Sequence, residues 1–133
     1  MTRDEMRKVF YDAWQKYKEH LLVEPLESII IDIILWHPEY HELFDHPEKT
    51  AALEFDESNP FLHISLHLAV REQIAADSPP GIRLIYQNLC KKFHDEHFAE
   101  HQMLECLGKI LWDAQQTGSL PDEQYYLEVL RRI

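Results

Sequence analysis

This chain contains three pairs of histidines whose members are four positions apart. The pairs are His37 and His41, His63 and His67, and His97 and His101. On an α-helix this spacing places two imidazoles on one face, one turn apart, where their ring nitrogens can reach a single metal ion. Nine histidines placed at random in 133 residues give roughly half a pair at this spacing, so the excess indicates a metal site.

The pair His63 and His67 lies in a segment with helical periodicity. At about 100° per residue, both histidines fall on the face that also carries Val70 and Ile74. They therefore point into the apolar side of a predicted helix, where each ring needs a partner for its donor and its acceptor nitrogen. A metal ion with an outer hydrogen bond satisfies both nitrogens, and so do backbone groups or buried side chains; both interpretations stay open here.

A second polar stripe follows on a later segment, where His97, His101 and Glu105 fall on one side of a predicted helix. The leucines beside them predict that this stripe borders the core. If the two helices pack together, their histidines and Glu105 form an interior cluster of the kind that binds metals in helical bundles. A shell of histidine and carboxylate suits zinc, iron or manganese. A solvated polar stripe is the alternative.

Residues 97–101 also spell H-x-x-E-H, the inverted zinc-peptidase motif. In that interpretation His97 and His101 bind zinc and Glu100 is the general base. Such an enzyme needs a third ligand and a substrate cleft, and a five-residue pattern in a histidine-rich chain can arise by accident. We therefore do not favour a peptidase. The sequence also has no glycine-rich phosphate loop, dinucleotide fingerprint or nucleophile elbow.

Proline interrupts the pair His37 and His41. Because Pro38 cannot continue a helix, the preceding helix must end or kink there, and a short helix over Pro38–Phe44 is predicted. His37 then lies at the start of that helix and cannot share an ideal helical face with His41. The pair could complete a metal site from a loop, but we favour a turn whose side chains bond backbone groups.

Periodicity and punctuation predict an all-α, compact helical bundle of five to six helices, in a single domain over residues 1–133. The first predicted helix runs from about Asp4 to His20, the next begins at Pro25, and a short one covers Pro38–Phe44. Another has Asn59 as its cap and ends at Ala76, and the one after it covers Ile82–Phe93. A further helix ends at Gln116, and the last runs from a Ser119–Asp122 capping box to about Arg132. Asp95 is a possible cap between the two helices before Gln116. Residues 46–58 are predicted to be a connection.

Acidic residues outnumber basic ones by 24 to 13, which gives a formal charge of −11. Such a surface repels phosphate backbones and anionic membranes, so we expect neither nucleic-acid nor membrane binding; it favours cationic metals and basic partner surfaces. The segment Met1–Lys8 is charged and no apolar leader follows it. Cys90 and Cys106 form no C-x-x-C pattern, so we expect a cytoplasmic protein with two buried, reduced thiols.

Three stretches carry a resemblance to a known family: HPEYH at 37–41, NPFLHISLHLAVREQ at 59–73 and EHQMLECL at 100–107. They resemble domain-of-unknown-function family 1841, which is mainly proteobacterial, and the likeness extends over nearly the whole chain. The resemblance implies a bacterial, cytosolic, single-domain protein. It implies no activity, because this family has no assigned chemistry.

The sequence thus predicts a helical bundle that binds one or two divalent transition metals, with zinc, iron or manganese as candidates. The predicted ligands are His63, His67, His97 and His101, with Glu105 or the pair His37 and His41 completing the shell. Any reaction would be metal-assisted hydrolysis or iron chemistry. The alternative is a non-enzymatic interaction or regulatory module with structural histidines. Ring nitrogens within about 4 Å of one another favour metal, whereas rings bonded singly to backbone carbonyls favour the module.

Overall fold

The computed structural model describes residues 2–49 and 59–133, and every element in these ranges is helical. The elements are α1 (Arg3–Lys18), α2 (Pro25–Leu35), α3 (His41–Asp45), α4 (Pro60–Ala76), α5 (Ile82–Phe93), α6 (Glu96–Thr117) and α7 (Glu123–Arg131), with 3₁₀ turns at Pro38–Tyr40 and Pro47–Lys49. The all-α class is confirmed. The count of five to six is too low, because the described ranges hold seven α-helices.

The chain divides into two compact units, residues 1–65 and 66–133, and the boundary falls inside the continuous helix α4. In the first unit α1 packs on α2. Its buried apolar side chains come from both helices and from the first turn of α4, and they include Phe10, Ala13, Ile30, Ile33, Ile34 and Phe61. The rings of Phe10 and Phe61 are stacked, with centroids 6.2 Å apart, so α1 fixes the start of the helix that carries His63.

Local chemistry sets the ends of α1 and α2. Helix α2 begins at Pro25 as predicted, and the Glu27 carboxylate accepts the backbone N–H of Glu24 at 2.9 Å, which satisfies one of the N–H groups that a helix start leaves open. Helix α1 ends at Lys18 and not at the predicted His20, because His20 adopts a left-handed backbone with φ of 57° that cannot continue a right-handed helix.

Proline divides the segment after α2, as predicted. A 3₁₀ turn over Pro38–Tyr40 leads directly into α3, so the predicted helix over Pro38–Phe44 is confirmed in place, with a tighter first turn. The predicted connection over residues 46–58 contains the turn at Pro47–Lys49. Its remainder, residues 50–58, lies outside the described residues.

Capping side chains start α4 and α6. Asn59 Oδ1 accepts the N–H of Phe61 at 2.8 Å, and Asp95 Oδ1 accepts the N–H of Phe98 at 3.0 Å. Both caps are confirmed. His94 has a left-handed φ of 55°, which ends α5 and lets Asp95 open a new helix. These two caps fix where the histidine-bearing helices begin.

The second unit has its core where α5, α6 and α7 pack on one another. The buried apolar side chains of this core are Val70, Ile82, Ile85, Leu89, Ala99, Met103, Leu104, Leu107, Ile110, Tyr126, Leu127 and Leu130. Cys90 and Cys106 pack against it as free thiols. They are half-buried, whereas the sequence predicted that they are buried. Most of α6 therefore serves as the central element of this unit.

The cap of the last helix differs from the prediction. Asp122 itself caps α7 and accepts the N–H of Tyr125 at 3.0 Å. The Ser119 hydroxyl instead lies 2.6 Å from the Thr117 hydroxyl at the end of α6, so it is engaged with the preceding helix. Gly118, with φ of 66°, ends α6.

Candidate metal centre

Three histidines of the second unit face one another. Helix α4 supplies His67, whose exposed fraction is 0%, and α6 supplies His97 and His101, both half-buried. The ring centroid of His67 lies 4.8 Å from that of His101 and 5.8 Å from that of His97. A ring nitrogen of His67 lies within 4.8 Å of one of His101. The helical spacing of His97 and His101 is therefore realised as a cluster with a third, buried imidazole.

His97 and His101 are close enough to share one proton or one metal ion. Their Nε2 atoms are 2.8 Å apart and their rings are nearly perpendicular, at 80°. Two neutral imidazoles at this distance form a hydrogen bond in which one nitrogen donates and the other accepts. Two ligands of a tetrahedral zinc ion, with bonds of about 2.1 Å, lie about 3.4 Å apart. The observed separation of 2.8 Å is that of a hydrogen bond, and binding zinc requires the two nitrogens to separate by about 0.6 Å.

A buried carboxylate stands behind His67. Glu100 is 2% exposed; its Oε1 accepts the Arg71 Nε–H at 3.0 Å, and its Oε2 lies 3.4 Å from His67 Nδ1. A distance of 3.4 Å is longer than an ordinary N–H···O bond, so Nδ1 and Oε2 are in contact without a well-formed hydrogen bond, and they form an ion pair only when His67 is protonated. Carboxylates placed on one imidazole nitrogen commonly orient the other nitrogen toward a metal. Glu100 stands in the position of such an outer partner.

The electrostatics of Glu100 balance burial against positive charge. Burial raises the pKa of the Glu100 carboxyl above its usual range, and the charge and hydrogen bond of Arg71 counteract part of that rise, with smaller contributions from His97 and His101. The carboxyl oxygens are directed to Arg71 and His67. A general base needs an oxygen aimed at a water molecule, so the peptidase interpretation of H-x-x-E-H gains no support from this geometry.

In the first unit, His37 and His63 form a separate contact. His37 is 2% exposed, and its Nε2 lies 3.0 Å from Nε2 of His63. The other ring nitrogen of His37, Nδ1, lies 2.7 Å from the carbonyl oxygen of Ile33. Because a carbonyl can only accept, Nδ1 carries the proton, and in the neutral ring Nε2 keeps its lone pair directed at His63.

His41 is held in another way. Its Nε2 donates to the carbonyl oxygen of Ile34 at 2.9 Å, and its ring lies 4.8 Å from that of Trp14. The bond from His37 satisfies the carbonyl of Ile33 at the end of α2, and His41 adds a second bond to the carbonyl of Ile34, which also accepts the backbone N–H of His37 at 3.0 Å. Both side chains bond backbone groups, as the interpretation of 37–41 as a turn expects, and the role of the pair as metal ligands stays a prediction.

Other predicted residues lie at the surface. Glu105 is exposed on α6, one turn beyond His101, and its role as a ligand stays a prediction. Gln73, which follows the α4 histidines, accepts the hydroxyl hydrogen of Tyr126 at 2.8 Å. His20 and His46, expected at the surface, are exposed.

Sequence reasoning missed the pairing of Arg71 with Glu100, although both residues left a signal. Arg71 lies four residues after His67, on the same side of α4. Glu100 lies three and four residues before Met103 and Leu104, so it falls on the same buried stripe of α6. A charged residue on an apolar stripe needs a partner, and that rule can identify Glu100 from the amino-acid pattern alone.

The fold and the site define a class: an all-helical protein with interior histidines in each of its two units. The family described as Domain of unknown function (DUF1841) has a sequence model that matches residues 2–132, and the chain belongs to this family. The resemblance seen in the three sequence stretches is thereby confirmed. No curated protein and no solved structure matches the chain significantly. Among the described residues, none of the helices combines the length and the apolar character needed to span a membrane.

Proposed function

We propose that the second unit binds a divalent transition metal ion through His67, His97 and His101. The observation that carries the proposal is the meeting of three imidazoles beside the buried Glu100 carboxylate. Three histidines with a fourth position left for water or another ligand are a common zinc shell, and iron and manganese accept imidazole and carboxylate as well. Glu105 is a further predicted ligand for that position.

The residues around the three histidines have distinct tasks in this proposal. Glu100 fixes the ring of His67, and Arg71 fixes Glu100 in turn. Helix α6 keeps His97 and His101 one turn apart. A metal ion held by three histidines can lower the pKa of a bound water or polarise a carbonyl, which is the chemistry of metal-assisted hydrolysis.

Metal analysis of the full chain, purified untagged and without chelator, tests the proposal. We expect about one equivalent in the second unit, and metal-dependent thermal stabilisation of the chelator-treated protein. His101→Ala should weaken zinc binding at this site at least tenfold. The matched control is His94→Asn, which changes an exposed histidine of the same unit to a residue that tolerates its left-handed backbone. Less than about a tenth of an equivalent, with no stabilisation by zinc, iron or manganese, contradicts the proposal.

A second candidate function has its own supporting observation. His37 and His41 both donate to backbone carbonyls, as expected for a non-enzymatic interaction or regulatory module with structural histidines. If that role extends to the second unit, His67→Ala and His101→Ala lose the same stability with and without metal. If the metal proposal holds, the variants lose mainly the stabilisation that metal confers.

A further inference from the structure

We propose that His37 and His63 form a second metal-binding pair, in which Nε2 of both rings binds one divalent ion. The pair lies wholly in the first unit and shares no residue with His67, His97 and His101. The inference therefore goes beyond the proposed function and does not rest on it. Two observations carry it: the fixed tautomer of His37 and the distance between the two Nε2 atoms.

The tautomer of His37 places a lone pair on the nitrogen that faces His63. Nδ1 must donate to the carbonyl oxygen of Ile33, 2.7 Å away, so Nε2 of the neutral ring is an acceptor. A metal-binding histidine commonly donates one ring N–H to a backbone carbonyl and binds the ion through the other nitrogen. His37 therefore has the protonation of a ligand without any rearrangement.

Packing holds the His37 ring in this orientation. The Tyr40 ring lies parallel to it, with an interplanar angle of 9° and centroids 5.1 Å apart. Burial raises the pKa of the Tyr40 phenol, so this neighbour stays uncharged and adds no competing anion. His63 is half-buried and meets the His37 ring at 81°. The buried ring is therefore fixed, and the half-buried ring gives access from solvent.

The distance between the two Nε2 atoms is close to that of two ligands on one metal ion. It is 3.0 Å, and two ligands of a tetrahedral zinc ion, with bonds of about 2.1 Å, lie about 3.4 Å apart, so the two nitrogens need to separate by only about 0.4 Å. Without metal, His63 donates its Nε2–H to Nε2 of His37. Binding an ion requires His63 to adopt its other neutral tautomer, with the proton on Nδ1, so that Nε2 of both rings presents a lone pair.

The chemistry of the pair selects the class of ion. Two neutral imidazoles suit divalent zinc, nickel, copper or cobalt, and they have little attraction for calcium or magnesium, which prefer oxygen ligands. Water would fill the remaining positions. With two protein ligands in place of three, we expect this pair to bind zinc at least tenfold more weakly than the three-histidine cluster.

Zinc titration of the chelator-treated full chain, followed by calorimetry, tests this inference. We expect two equivalents for the wild-type protein, one after His63→Ala, and two after the matched control His41→Ala, which removes a histidine of the same unit that bonds a carbonyl. Two equivalents after His63→Ala, or loss of all binding in that variant, overturns the second pair. His101→Ala tests the proposed function separately, because it should weaken only the tighter event, by at least tenfold.

Histidine ¹⁵N NMR on the wild-type chain keeps the inference testable if His63→Ala does not fold. We expect the metal-free spectrum to show the proton of His37 on Nδ1. Zinc should then shift Nε2 of His37 and His63 and leave the ring nitrogens of His41 unchanged. A proton on Nε2 of His37, or Nε2 signals of both rings that zinc leaves in place, contradicts the proposal.

Discussion

His37 and His41 in the first unit, and His97 and His101 in the second, have the same spacing and opposite surroundings. Pro38 interrupts the helix between the first two, and their rings bond to carbonyls of α2. Helix α6 is continuous through the other two, and their Nε2 atoms lie 2.8 Å apart. A spacing of four residues is therefore a metal signal only where the helix is unbroken between the two histidines.

The outer partners of the histidines differ as well. A carbonyl fixes a ring through one bond and stays neutral, as Ile33 does for His37. A buried carboxylate brings charge, and Glu100 needs Arg71 beside it as well as His67. The second unit thus has an ionic pair beside its histidines, whereas in the first unit His37 and His41 bond directly to backbone carbonyls. Four experiments test this difference between the two units.

The largest effect is expected when the ionic network is broken. Glu100→Ala removes the carboxylate that pairs with Arg71 and leaves a cavity at a position that is 2% exposed. We expect the free energy of unfolding of the metal-free protein to fall by about 3 kcal/mol, measured by urea denaturation. Glu72→Ala is the control, since it removes an exposed carboxylate beside Arg71. A loss as small as that of the control would show that the network adds no stability.

A conservative change separates orientation from stability. Glu100→Gln keeps the size of the side chain but removes its charge, so His67 loses its carboxylate partner. We expect zinc to bind to the second unit about 10- to 100-fold more weakly, measured by competition with a chromogenic chelator. Binding by the first unit should not change. Unchanged affinity of both events would mean that Glu100 supports the fold and not the metal.

His41→Ala tests the neutral arrangement of the first unit. The substitution removes the hydrogen bond to Ile34 and the ring contact with Trp14, and we expect a loss of about 1 to 2 kcal/mol. The loss should be the same with and without zinc, as followed by thermal unfolding. The control is His46→Ala, at an exposed position in the same unit. A zinc-dependent loss would place His41 among the ligands and remove the contrast between the units.

Local signals explain what the sequence could predict. The start of α4 follows from Asn59 and Pro60, because a cap and a proline at the first turn act within a few residues. The burial of His67 follows in the same way from helical periodicity, and it is confirmed at 0% exposure. The helical positions of four predicted ligands, on α4 and α6, could therefore be predicted from the sequence.

Contacts between distant residues explain the rest. Arg71 and Glu100 are 29 positions apart, and helical periodicity places each on its own helix without specifying the partner. His37 shows a local failure: periodicity assumes a continuous helix, and the turn at Pro38 decides where the ring points. Ser119 is a similar case, because the composition of a capping box does not reveal that its hydroxyl meets Thr117.

The smallest effect concerns the Asp45 carboxylate, which is linked to His41 through Trp14. Asp45 Oδ1 accepts Lys18 Nζ–H and the Trp14 indole N–H, each at 2.8 Å, and the Trp14 ring packs against the His41 ring. The hydrogen bond from Lys18, followed by that from Trp14, holds the pKa of the Asp45 carboxyl below its usual range. Its charged form thus stabilises the folded protein above the unfolded pKa of about 3.9, and this contribution is lost as the pH falls through the lower folded pKa.

Asp45→Asn should therefore cost roughly 0.5 to 1 kcal/mol at pH 7, because the ion pair is partly exposed and screened. The difference from the wild-type protein should shrink toward zero below about pH 4, measured by urea unfolding with Trp14 and the other tryptophans as fluorescent probes. Asp12→Asn, at an exposed position on α1, should show no such trend. A difference that stays constant from neutral to acid pH would mean that Asp45 acts through its shape. The first unit would then hold its histidines through neutral contacts alone, which widens the contrast with the charged network around Glu100.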